Sequence, residues 1–78
     1  MNVADLTPER CRELVGRLSE KQRRALVTVL PLFGVEAAAL ALECSVQSVS
    51  RYLGQAYAVL GVARLHQAAV IAVKGGLL

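Results

Sequence analysis

Residues 35–61 read VEAAALALECSVQSVSRYLGQAYAVLG, and this stretch decides the fold. Val35 to Glu43 are mostly strong helix formers with small side chains, which predicts a short helix that a second helix can approach closely. Cys44, Ser45 and Val46 form a short turn, and Ser45 is suited to cap the free N–H groups of the element that follows. From there apolar residues return at helical spacing at Val46, Val49, Leu53, Ala56, Tyr57 and Leu60, and Gly61 supplies the stop, so the second helix spans 46–60. Its other side carries Gln47, Ser48, Ser50, Arg51, Gly54 and Gln55. One flank packs and the other is polar.

Working outward, the same logic gives three more helices. Ser19-Glu20-Lys21-Gln22 has the Ser-x-x-Gln form of a capping box and opens a helix running to about Leu30, with Leu26, Val29 and Leu30 on its packing side. Pro31 and Gly34 make 31–34 a connector. Thr7 and Pro8 are a cap and a first helical residue for a helix over 8–17, in which Glu9 and Glu13 can pair with Arg10, Arg12 and Arg17. A last helix covers 64–74 and ends at Gly75-Gly76; its apolar arc of Leu65, Ala68, Ala69, Ile71, Ala72 and Val73 is too wide for one neighbour. The expected fold class is all-α, a small helical bundle.

Seventy-eight residues, 55% hydrophobic and only 4% aromatic, make one domain with a modest core built from small side chains. The net charge of +3 is unevenly spread. Residues 1–24 hold six basic and four acidic side chains, whereas 25–62 hold only Glu36, Glu43 and Arg51. That balance suits a polyanionic partner but is too weak to bind one by charge alone. Cys11 and Cys44, with His66 as the one histidine, do not make a zinc site, so two buried, reduced thiols and no metal or other cofactor are expected. Asp5, Glu9 and Glu13 stand where a secretory signal needs an apolar run, which points to the cytoplasm. Ala25 to Leu42 carries a single charge, but Pro31 and Gly34 interrupt it, and no membrane partner is expected. Without a Ser/His/Asp or Cys/His set, paired carboxylates or a Gly-rich phosphate loop, the reading is not an enzyme.

A family pattern emerges from these landmarks. Leu18-Ser19-Glu20-Lys21-Gln22 resembles the opening L-T-x-R-E of the LuxR/GerE family, Ala38-Ala39 its I-A, and Ser45-x-x-Ser48-Val49 its S-x-x-T-V. Leu60-Gly61-Val62 matches its L-G-V, Gln67-Ala68-Ala69 resembles its Q-A-V, and Gly76-Leu77-Leu78 its G-L-L ending. Each match is weak by itself, but together they fall in register over residues 18–78 without an insertion. The resemblance implies a stand-alone helix-turn-helix domain of four family helices at 18–78, preceded by an N-terminal helical extension at 1–17. Ser50 and Tyr52 stand where the family usually has Lys and His, and Ala58 and Val59 replace commonly basic positions. Lys21-Gln22 replaces Arg-Glu.

The function implied is transcription regulation by a sequence-specific homodimer, with helix 46–60 in the major groove of double-stranded DNA. Arg51 can bond guanine bidentately, Gln47 and Gln55 can do likewise with adenine, and Gly54 lets the backbone approach. Ser50 belongs to the same DNA-facing side, and Ser45 and Ser48, with Lys21 and its neighbours Arg23 and Arg24, can position phosphates, although caps and a solvated helix face explain the same residues. Tyr52 and Tyr57 read as packing or rim residues. The dimer contact implied is the last helix, through Leu65, Ala68, Ala69, Ala72 and Val73. Residues 1–17 are open to three roles: packing across the motif, extending the dimer contact, or engaging a partner. The alternative function is a non-catalytic protein-interaction module that keeps the fold and binds a second regulatory protein or an RNA polymerase subunit.

Overall fold

Five α-helices and one short 3-10 turn account for the regular structure among the described residues, 2–32 and 34–78, of a computed structural model. The 3-10 turn covers Val3–Asp5, followed by α1 (Pro8–Gly16), α2 (Glu20–Leu32), α3 (Val35–Leu42), α4 (Val46–Leu60) and α5 (Leu65–Lys74). No strand occurs among the described residues.

α1, α2 and α4 begin where their capping chemistry predicts. Thr7 Oγ1 accepts from Arg10 N–H at 3.1 Å. Ser45 Oγ accepts from Ser48 N–H at 3.0 Å. At α2 the capping box is complete: Ser19 Oγ accepts from Gln22 N–H at 3.2 Å, and Gln22 Oε1 accepts from Ser19 N–H at 3.0 Å. The α5 start lies one residue later than expected, because Arg64 is the extended N-cap residue and Gln67 Oε1 reaches back to the N–H groups of Ala63 and Arg64.

The helix ends carry the corrections. α2 runs through Pro31 to Leu32 instead of stopping at Leu30, so two residues of the expected connector are helical. A proline in the final turn removes only one late backbone hydrogen bond, which the helix tolerates. Phe33, also within that connector, lies outside the described residues. Gly34 is the extended N-cap residue of α3, at φ −173°, and Glu43 at the other end is left-handed, with φ 55°. There Glu43 N–H bonds Leu40 O and Cys44 N–H bonds Ala39 O, so α3 ends in a Schellman motif built on a non-glycine residue. Gly61 and Gly76, at φ 75° and 77°, close α4 and the C-terminal turn in the same way.

The core is apolar throughout. Leu26, Val29, Val49, Leu60 and Ile71 are fully buried, each worth roughly 1.5–3 kcal/mol of burial. Between these lie Ala25, Ala38, Ala39, Ala56, Ala68 and Ala72, which are small enough for helices to approach closely. α2, α3 and α4 pack mutually around one half of this core. α5 packs chiefly on α1, touches the 3-10 turn and α4 about equally, and bends 62° from α4. The radius of gyration, 11.7 Å, is close to the ~11.5 Å of a compact chain of this length.

The N-terminal extension therefore belongs to the common core, contributing Val3, Cys11, Leu14 and Val15. Lys74 Nζ donates to the carbonyls of Ala4 and Leu6, at 2.9 and 3.2 Å, and ties the first turn to α5. On the outer face of α1, Arg10 pairs with Glu13 at 2.8 Å and Arg12 with Glu9 at 3.6 Å. Cys11 is buried as expected, but Cys44 is exposed, because the left-handed step at Glu43 carries it out of the α3 packing face. Val46 is likewise exposed despite its apolar register, since it stands in the first turn of α4, ahead of the buried Val49. No single helix among the described residues is long and apolar enough to cross a membrane, and the apolar run from Ala25 to Leu42 is divided between α2 and α3.

Candidate functional site

α4 sorts its residues by register. Val49, Leu53, Ala56 and Leu60 are buried, fixing the inner flank against its neighbours. Gln47, Ser50, Arg51, Gly54 and Gln55 are all exposed on the opposite flank. Since 3.6 residues make a turn, Gln47, Arg51 and Gln55 stand one above the other along that flank. Nothing approaches the Cα of Gly54 closely enough to obstruct a side chain there, so this part of the helix surface is open.

The N-terminus of α2 borders this flank. Lys21 Nζ lies 5.9 Å from the centre of the Tyr52 ring, and the Arg51 guanidinium 5.6 Å from it. Tyr52, half-buried, thus serves as a platform beneath two cations, a contact worth roughly 0.5–1 kcal/mol at an exposed site. Gln22 also reaches the flank: its Nε2 donates to Gln55 Oε1 at 3.4 Å. Beside them Lys21, Arg24, Leu42, Cys44 and Tyr52 line a shallow pocket of about 170 Å³.

Charge is distributed to match. The α1 arginines Arg10 and Arg12 are neutralised by their own carboxylates, whereas no described carboxylate pairs with Lys21, Arg23, Arg24 or Arg51. Lys21, Arg24 and Arg51, gathered around Tyr52, are therefore free to attract an anion, while the cations of α1 are largely satisfied locally. Ser45 and Ser48 face each other at the start of α4, with the Ser45 hydroxyl donating to Ser48 Oγ at 3.0 Å, so both are engaged first in capping. Tyr57 lies on the Ser50 and Gly54 edge of α4, turned from the line of Gln47, Arg51 and Gln55, and burial holds its phenol above the ordinary 10.0.

The five residues expected at a dimer contact divide sharply. Ala68 and Ala72 are fully buried within the chain and cannot form an outer surface, because α5 turns them into the intramolecular core. Leu65 and Ala69 are half-buried, and Val73 is 61% exposed. Ala69, Val70, Val73 and Lys74 together line an open, apolar depression. The excess apolar arc of α5 is thus covered largely by α1, not left free.

Two participants were not legible as such in the sequence. Gln22 is recognisable as a capping residue, but its contact with Gln55 spans 33 positions and needs the packing of α2 on α4. Tyr52 reads as a packing residue, and its role beneath Lys21 and Arg51 depends on the same packing. Compared with protein-family models, with curated proteins and with solved structures, the chain finds no match.

Proposed function

We propose that this protein is a sequence-specific DNA-binding transcription regulator in which α3, the turn at 43–45 and α4 form a helix-turn-helix and α4 lies in the major groove. The observation that carries this reading is the alignment of Gln47, Arg51 and Gln55 on an exposed flank, with the unpaired cations Lys21 and Arg24 placed around the adjoining Tyr52. Fifteen residues of α4 make a rod about 22 Å long, and a groove about 12 Å wide admits it. Arg51 and the two glutamines supply hydrogen-bonding groups to base edges, while the cations and the serines at the helix start orient the backbone. The LuxR/GerE resemblance over residues 18–78 supports the same assignment.

Selection from random duplexes, read by fluorescence anisotropy, tests this. A recurring sequence should emerge, and its affinity should fall steeply as salt rises, since released counterions drive the phosphate contacts. Absence of binding to any duplex at low salt and micromolar protein would overturn the proposal.

Dimerisation on a two-fold site is part of the proposal, through the outer side of α5 at Leu65, Ala69, Val70 and Val73. Val73→Glu should leave the melting temperature within a few degrees of the parent, because the side chain is exposed, while abolishing cooperative occupation of two half-sites. Unchanged cooperativity would assign the contact to another surface.

A second reading rests on Leu40, which is 82% exposed on α3. In that reading the chain is a protein-interaction module. Its binding would be insensitive to salt where DNA binding is not, and anisotropy in a salt series separates the two.

A further inference from the structure

The amide of a glutamine can present either its oxygen or its nitrogen, and at Gln55 the choice is dictated by the backbone of another helix. Ser19 N–H is one of the free donors at the start of α2, so the group facing it must be an acceptor, and Gln22 Oε1 fills that place at 3.0 Å. With its oxygen committed, Gln22 turns its Nε2 toward α4, where it donates to Gln55 Oε1 at 3.4 Å. A donor requires an acceptor opposite, which fixes the Gln55 oxygen inward and leaves its two N–H groups at the free tip.

Resting on the DNA-binding reading above, the geometry points to Gln22 as a specificity-determining positioning residue that makes Gln55 a donor-only reader, selective for a base edge composed of acceptors. Guanine, with N7 and O6, and thymine, with O4, fit such a tip. Adenine's bidentate pairing with glutamine does not, because it needs the amide oxygen and nitrogen together. The polarity originates at Ser19 N–H and passes through two side chains to the groove.

Gln22→Glu reverses that polarity by a single atom. A carboxylate still accepts from Ser19 N–H, so the helix cap survives, but it cannot donate to Gln55. The Gln55 amide then rotates to donate inward and turns its oxygen outward, which suits the amino groups of adenine N6 or cytosine N4. Mispairing at such a contact costs on the order of 5- to 150-fold in affinity.

The experiment has two arms. In the free full-length protein, nuclear magnetic resonance of the side-chain amides should show the Gln22 Nε2 protons shifting on Gln55→Leu; unmoved resonances overturn the relay without reference to DNA. In the second arm, duplexes are selected with the parent, Gln22→Glu and Gln55→Ala. The base position whose preference is lost in Gln55→Ala should be guanine or thymine for the parent and adenine or cytosine for Gln22→Glu. Adenine selected by the parent, or the same base selected by both, overturns the inference while leaving DNA binding intact. Failure of the parent to select any duplex removes the DNA-binding reading and this inference with it, even where the resonances shift as expected.

Discussion

Arg51→Ala is expected to reduce affinity for a selected duplex by about 1–3 kcal/mol, roughly 5- to 150-fold, and to relax preference at one base position. The guanidinium is the only fork-shaped donor on the exposed flank of α4, and it lies 5.6 Å from the centre of the Tyr52 ring, which limits its wandering before it meets a base. Losing it removes a base contact and not a phosphate contact. The salt dependence should therefore change little compared with the affinity for the chosen sequence, whereas Lys21→Ala should weaken all duplexes alike. Because Arg51 is exposed and unpaired, the melting temperature should scarcely move. Equal affinity of the variant and the parent for the selected duplex, measured by anisotropy at the same salt, would show that this flank does not read bases.

Gly75→Ala is expected to destabilise the fold through α1. A methyl group at Gly75 would stand 2.9 Å from the Cys11 carbonyl oxygen, 2.9 Å from Val15 Cγ2 and 3.0 Å from the Ile71 carbonyl oxygen. Two of those three atoms are backbone and cannot rotate aside, so α1 must retreat from α5. Overpacking of this kind costs about 1–3 kcal/mol. Its backbone, at φ −82° and ψ 0°, is open to alanine, and removing a glycine from the unfolded chain returns about 0.4–1 kcal/mol. The contact outweighs that gain, and each kcal/mol of net loss lowers the melting temperature by about 4–8 °C in a domain of this size. Thiol labelling gives a second readout: Cys44 is exposed and reacts at once, while Cys11 is fully buried beneath α5 and should become reactive only as α1 loosens. An unaltered melting temperature together with a protected Cys11 would contradict the close approach of the two helices.

These two expectations come from different levels of the molecule. Arg51 was legible because its neighbours Val49 and Leu53 declare the buried register of α4, and residues two positions from them fall on the outside. Gly75 reads in the sequence as the end of a helix, and nothing local says that Cys11, 64 positions earlier, rests upon it. The helix starts were similarly readable, since capping is a matter of three or four adjacent residues at Thr7, Ser19 and Ser45. The end of α2 was less so, because whether a proline stops a helix or occupies its last turn depends on what surrounds it.

What the amino-acid order determined alone was an all-helical chain, the two sides of α4, and the capping box that opens α2, because each follows from periodicity or hydrogen bonding within a turn or two. Tertiary packing decided where the apolar arc of α5 is spent: Ala68 and Ala72 go into the core and α1 covers much of the rest, leaving Val73 and its neighbours outside. It also brought Lys21 and Gln22 to Tyr52 and Gln55. An apolar stripe specifies that a face will be covered but not by which element, since burial is non-directional and many partners satisfy it. Hydrogen bonds across distant helices are directional, yet they exist only once that packing has chosen the neighbours.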